Sequence, residues 1–76
     1  MLPKAKQIWR DRDPRRTRFI RVIEVYESRA RIMTCSEEGN PLPGARDITV
    51  SLAAFFNNSK VRGFEWHREE PIERYR

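Results

Sequence analysis

A chain of 76 residues holds one hydrophobic core and no second domain, and at this size folding hides only about 60% of the unfolded surface. A composition that is 38% hydrophobic and 36% charged is lean for a globular domain, yet eight aromatic side chains and several β-branched runs argue for a fold rather than disorder. The net charge of +5 sits wholly in the first 21 residues, where eight basic side chains face two acidic ones, so one basic face is expected to meet an anion. The single cysteine, Cys35, excludes an intramolecular disulfide framework and a cysteine-based zinc site. No apolar run approaches a signal-peptide core or a membrane span, which predicts a cytoplasmic chain with no membrane contact.

Residues 7–9 are the first expected strand. Residues 18–27, RFIRVIEVYE, have strand composition, but their alternation is broken: Ile20, Val22 and Tyr26 share one parity, Phe19, Ile23 and Val25 the other. Apolar residues on both faces predict a curved strand with a bulge that switches register. Glu27 and Ser28 make a tight hairpin to residues 29–35. There Ala30, Ile32 and Thr34 face one way, and Arg29, Arg31, Met33 and Cys35 the other. Residues 36–44, SEEGNPLPG, gather turn formers and read as a loop.

Residues 46–52 alternate most cleanly, with Ile48, Val50 and Leu52 inward and Asp47, Thr49 and Ser51 outward. SLAAFFNN has no alternation and predicts one short helical turn ended by Asn57 and Asn58. The closing strand, VRGFEWHR, points Phe64 and Trp66 inward and Glu65 outward, with Gly63 allowing a kink. A charged tail over residues 67–76 follows, with Ile72 and Tyr75 able to pack back on the body. The sum is an all-β domain over residues 1–66: an SH3-like antiparallel barrel of about five strands with one helical turn before the last.

The functional question lies in WRDRDPRRTR, residues 9–18, where two aspartates interrupt five arginines. Asp followed by Pro opens a type I turn, so Asp13 caps the backbone, Pro14 sets the bend, and Arg15 and Arg16 ride the loop tip. Asp11 pairs with a neighbouring arginine. Arginine supplies all but three of the basic side chains, and its planar fork suits phosphate or carboxylate. The expected phosphate-binding set is Arg10, Arg12, Arg15, Arg16 and Arg18, extended by Arg29 and Arg31. Four phosphates held by Arg12, Arg15, Arg16 and Arg18 would give a log–log salt slope of roughly −3.6 on duplex DNA.

Trp9 and Trp66 are expected in the core, because so small a domain needs its large side chains inside. Tyr26 is placed on the surface. Phe55 and Phe56 cannot both point inward from one turn, so one of them, with Tyr26, is a candidate protein contact. Catalysis has no support: His67 is the only histidine, in a charged segment, Glu69 and Glu70 sit in the tail, and there is no phosphate loop or metal-ligand spacing. No catalytic residue, metal or cofactor is expected.

A tryptophan near the start, DRDPRR, an RFIRV strand, an ITVSL strand running into aromatics and a closing GFEW together resemble short SH3-like β-barrel proteins encoded by phages and prophages. The resemblance spans roughly residues 6–66 and implies a non-enzymatic accessory protein of a mobile element. It transfers no site residue, and the 36–45 loop and the charged tail depart from its simplest form. Two readings stand: a nucleic-acid-binding module using the arginine loop, or a protein-binding module engaging an acidic or nucleoprotein host partner. The chain is expected as a monomer or a weak homodimer through an exposed strand edge.

Overall fold

The β-branched and aromatic runs form five strands: β1 (Gln7–Asp11), β2 (Phe19–Val25), β3 (Arg29–Cys35), β4 (Ile48–Ser51) and β5 (Phe64–Glu69), with one 3-10 turn (Leu52–Phe55) between β4 and β5. This is seen in a computed structural model that describes residues 2–15, 17–56 and 62–69. All paired strands are antiparallel, and their order is β4-β3-β2-β1-β5. Five antiparallel strands and a single turn before the last are as expected. The sheet is not closed into a barrel, however: among the described residues β4 and β5 are its two edges.

The broken alternation of β2 has the expected cause. Val22 pairs with Ile32 and Glu24 with Arg31, so Ile23 is an extra residue at a register shift. Ile20 and Val22 therefore face the core before the bulge, and Val25 packs against it after the bulge. Tyr26 falls outside, half-exposed, as expected.

The core lies on one face of the sheet and consists of Trp9, Ile20, Val22, Ala30, Ile32, Phe55 and Phe64. The 3-10 turn starts with the Ser51 side chain accepting a hydrogen bond from the Ala53 N–H. The turn carries Phe55 edge-on to Trp9, with ring centroids 4.9 Å apart, and 5.3 Å from Phe64. Gln7 Oε1 accepts from the buried Trp9 indole N–H at 3.1 Å and from the Lys4 N–H at 2.8 Å, which satisfies a donor the core would otherwise strand.

The opposite face carries a second, smaller layer. Ile8 and Cys35 are buried there, and the loop of residues 36–44 folds over them. Arg21 donates to the Gly39 carbonyl at 3.3 Å, Glu37 lies 3.3 Å from His67, and Cys35 bridges to Pro41. His67 is half-buried, with its ring 4.8 Å from that of Phe19, rather than on an open surface as expected.

Three further expectations are corrected. Ile48 shares the core side with Ile32, its partner in register, but is 50% exposed, because no strand lies beyond β4 to cover it. Trp66 likewise stands opposite Trp9, on the core side, but is 44% exposed at the β5 edge rather than buried. The last strand also runs three residues into the expected tail, to Glu69. Asn57, Asn58, Ile72 and Tyr75 lie outside the described residues.

Gly39 and Gly44 both have positive φ, +102° and +78°, but a Cβ on Gly39 would sit 2.8 Å from Ile8 Cδ1, whereas one on Gly44 meets nothing within 4 Å. Gly44→Ala is expected to cost about 1 kcal/mol for the left-handed backbone alone. Gly39→Ala should cost about 1–3 kcal/mol more for the collision. Urea denaturation of both variants checks this, and equal losses would show that the loop does not press on Ile8.

Candidate functional site

The basic run leaves β1 at Asp11 and re-enters the sheet at β2, pinned at its base by Asp11 N–H to Arg18 O (2.8 Å) and sideways by Arg12 N–H to Gly63 O (3.0 Å). Two side-chain turns follow each other inside it. Asp11 Oδ1 accepts from the Asp13 N–H, and Asp13 Oδ1 from the Arg15 N–H, each at 3.0 Å. Asp13 thus caps the bend at Pro14 as its sequence position predicts.

The carboxylates also hold the guanidinium groups. Asp13 receives Arg15 bidentately, Nε at 3.0 Å and Nη2 at 2.9 Å, a bond that raises the Arg15 pKa further above its ordinary value. Arg18 Nε lies 3.1 Å from Asp11 Oδ2, a Coulombic contact that is not aligned as a hydrogen bond. Arg10 and Arg12 both approach Glu65, at 3.5 and 3.8 Å. Four of the five arginines therefore share three carboxylates, and the run together with Glu65 keeps a charge of +2 (five arginines against three acids). Of these four, Arg15 is the most exposed, at 87%, with its guanidinium held by Asp13. Arg16 lies outside the described residues. A cavity of about 500 Å³ beside the loop is lined, among the described residues, by Asp11, Asp13, Pro14, Arg15, Arg62 and Gly63, two acids and two bases.

Arg29 and Arg31 do not extend this patch. Phe19, next to Arg18, pairs with Cys35, whereas Glu24 pairs with Arg31 and Val25 with Ala30. The antiparallel register puts Arg29 and Arg31 at the far end of β2, about 20 Å away at roughly 3.4 Å per residue. Arg31 is itself held by Glu24 at 3.1 Å and Asp47 at 3.5 Å. Glu24 also accepts from the Tyr26 hydroxyl at 3.0 Å, which raises the Tyr26 pKa and keeps the phenol protonated. The cations in no ion pair with another described residue are Lys4, Lys6, Arg29, Arg46 and Arg68, and they are spread over the molecule.

Of the apolar candidates, Phe55 is in the core and is withdrawn as a contact, while Phe56 and Tyr26 are 48% and 44% exposed. Sequence reasoning missed two things: Glu65 as the clamp for Arg10 and Arg12, and the exposure of Trp66. Pairing β5 with β1 in register would have found the first, since Glu65 stands directly opposite Arg10. Among the described residues no group of three or more His, Cys, Asp or Glu side chains could hold a metal ion, and no helix is long and apolar enough to cross a membrane. No protein-family model matches the chain, and neither does any curated protein or solved structure.

Asp11 is buried and serves both a backbone N–H and a guanidinium, so Asp11→Ala is expected to cost about 1–3 kcal/mol. Asp13→Ala removes a cap from a more exposed bend and should cost no more than about 1 kcal/mol. Chemical denaturation measures both. The reverse order would mean that Asp13 rather than Asp11 anchors the loop.

Proposed function

We propose that this chain is a non-enzymatic protein-binding module that docks through the exposed apolar side chains of the β4 edge and its following turn, Phe56 and Ile48. The observation that carries this reading is the contrast between the two kinds of candidate. The clustered arginines are tied to carboxylates of the same molecule, while Phe56 stands half in solvent directly after a core phenylalanine. A domain with so few apolar residues gains nothing for its own stability by leaving a ring outside, and exposed aromatic side chains are what interfaces bury most profitably. The paired arginines then form a polar rim that fixes orientation and excludes wrong partners more than it adds affinity. Resemblance to short phage and prophage proteins supports a host protein as the partner.

A second reading, binding of nucleic-acid backbone, is favoured by the net charge of +5 and by the five described cations that form no ion pair with another described residue. On that reading a phosphate gripped by Arg12, Arg15 or Arg18 must first displace an internal carboxylate, so the salt slope falls short of roughly −3.6.

The immobilised chain, exposed to nuclease-treated cell extract, is expected to retain one protein in near-stoichiometric amount. Phe56→Ala should reduce that retention at least tenfold while moving the thermal midpoint by no more than about 4 °C, as surface substitutions do. Retention that vanishes with nuclease, together with a mobility shift on random-sequence DNA or RNA, would instead establish the second reading.

A further inference from the structure

We infer that the free edge of β5 is a self-association surface, on which a second copy of the chain adds its own β5 antiparallel about a two-fold axis. Among the described residues β5 pairs with β1 alone, so its other edge presents unpaired backbone groups, a ready template for another strand. What selects a second copy as the occupant is charge complementarity, made possible by a bulge.

In an antiparallel pairing about a two-fold axis, residues that face each other must lie on the same side of the sheet. In a regular strand Glu65 and Arg68, three apart, lie on opposite sides. Here they do not. The register with β1 runs Glu65 to Arg10 and Trp66 to Trp9, then skips His67 to pair Arg68 with Ile8 and Glu69 with Gln7. Arg10 and Ile8 are on one side of the sheet, so Glu65 and Arg68 are on that side too, and His67 is the inserted residue.

One self-pairing register then matches sides and charges together. Glu65 faces Arg68 of the second copy, Arg68 faces Glu65 of the second copy, and Phe64 faces Glu69 on the other side. The two bulges meet at the axis, which brings the two half-exposed Trp66 rings together on the core side. Neighbouring side-matched registers are worse: one sets Glu65 against its own copy, another sets Arg68 against its own copy. Arg68 has no ion pair with a described residue, and the hold of Glu65 on Arg10 and Arg12 is long and half-exposed, so among the described residues neither charge is tightly held. The β4 edge has no such property. It is four residues long, and its one nearby acid, Asp47, already meets Arg31. Six paired residues bury less than a standard stable interface, so the dimer is weak and depends on concentration.

Sedimentation equilibrium of the full chain from about 10 μM to about 1 mM is expected to show the mass rising from 9.2 kDa toward twice that value. Arg68→Glu places like charges opposite each other twice and should weaken association about tenfold or more. The double exchange Glu65→Arg with Arg68→Glu should restore it, and Trp66→Ala should weaken it without unfolding the chain. A single-chain mass at every concentration overturns the inference, as does a dimer indifferent to Arg68→Glu or Trp66→Ala. A dimer lost in Arg68→Glu but not recovered by a folded double exchange overturns the register. Glu65 also holds Arg10 and Arg12, so for a double variant that does not fold, amide hydrogen exchange on the unaltered chain decides. Protection of the outward β5 amides must rise with concentration, and protection independent of concentration sinks the proposal.

Discussion

Phe55 reaches Trp9 edge to face at 4.9 Å, and through that contact a sheet with two open edges acquires an interior. The turn that carries Phe55 begins at the end of β4, at one edge, and its ring meets Trp9 and Phe64 on β1 and β5, at the other. What hydrogen bonds do in a closed barrel is done here by three aromatic rings, each a large apolar payload with a preferred edge-to-face or tilted geometry. The contact explains why the two phenylalanines of the turn have opposite fates. Once Phe55 occupies the interior, a 3-10 turn of four residues cannot also deliver Phe56 there.

The charged residues are arranged with the same economy. Asp11 and Asp13 shape the backbone of the 11–18 loop and hold guanidinium groups at the same time. A solvated Asp–Arg pair adds little stability by itself. Its consequence is electrostatic: residues 9–18 carry a net +3 in sequence but +2 in space, because Glu65 arrives from β5 to meet Arg10 and Arg12. Charge clustering along a chain is therefore a poor measure of charge clustering on a surface when the partner carboxylate is 55 residues away.

Much of the architecture was legible because it is local. Alternation located β3 to the residue, the broken alternation of β2 announced a bulge whose place, Ile23, only the register shows, and the Asp-Pro pair announced the bend at Pro14 together with its cap. What stayed hidden depends on pairs distant in sequence. Ile48 and Trp66 both face the core side, as their patterns imply, but whether a core-facing residue is covered depends on what lies beyond its strand, and both occupy edges. The bulge at His67 was hidden for a related reason. Its segment holds one apolar ring among charges, so no alternation exists to be visibly broken. At the candidate site the cap on Pro14 could be read from two adjacent residues, whereas the split between Arg18 and Arg31 required the register of two strands.

The two bulges show how a chain poor in apolar residues adapts one short sheet to several demands. At Ile23 an inserted residue brings Val25 back to the core side, so β2 contributes to the interior along its whole length. At His67 the inserted residue turns toward Phe19 and Glu37, tying β5 to the loop that covers Ile8 and Cys35. The same insertion moves Arg68 to the side of the sheet that carries Glu65. A bulge commonly blunts a strand edge by disrupting its ladder. On β5 the disruption is confined to the middle of the strand, and the residues flanking it become self-complementary in charge. An edge of that kind discourages unrelated strands, which lack the matching bulge, and admits one that has the same irregularity at the same place.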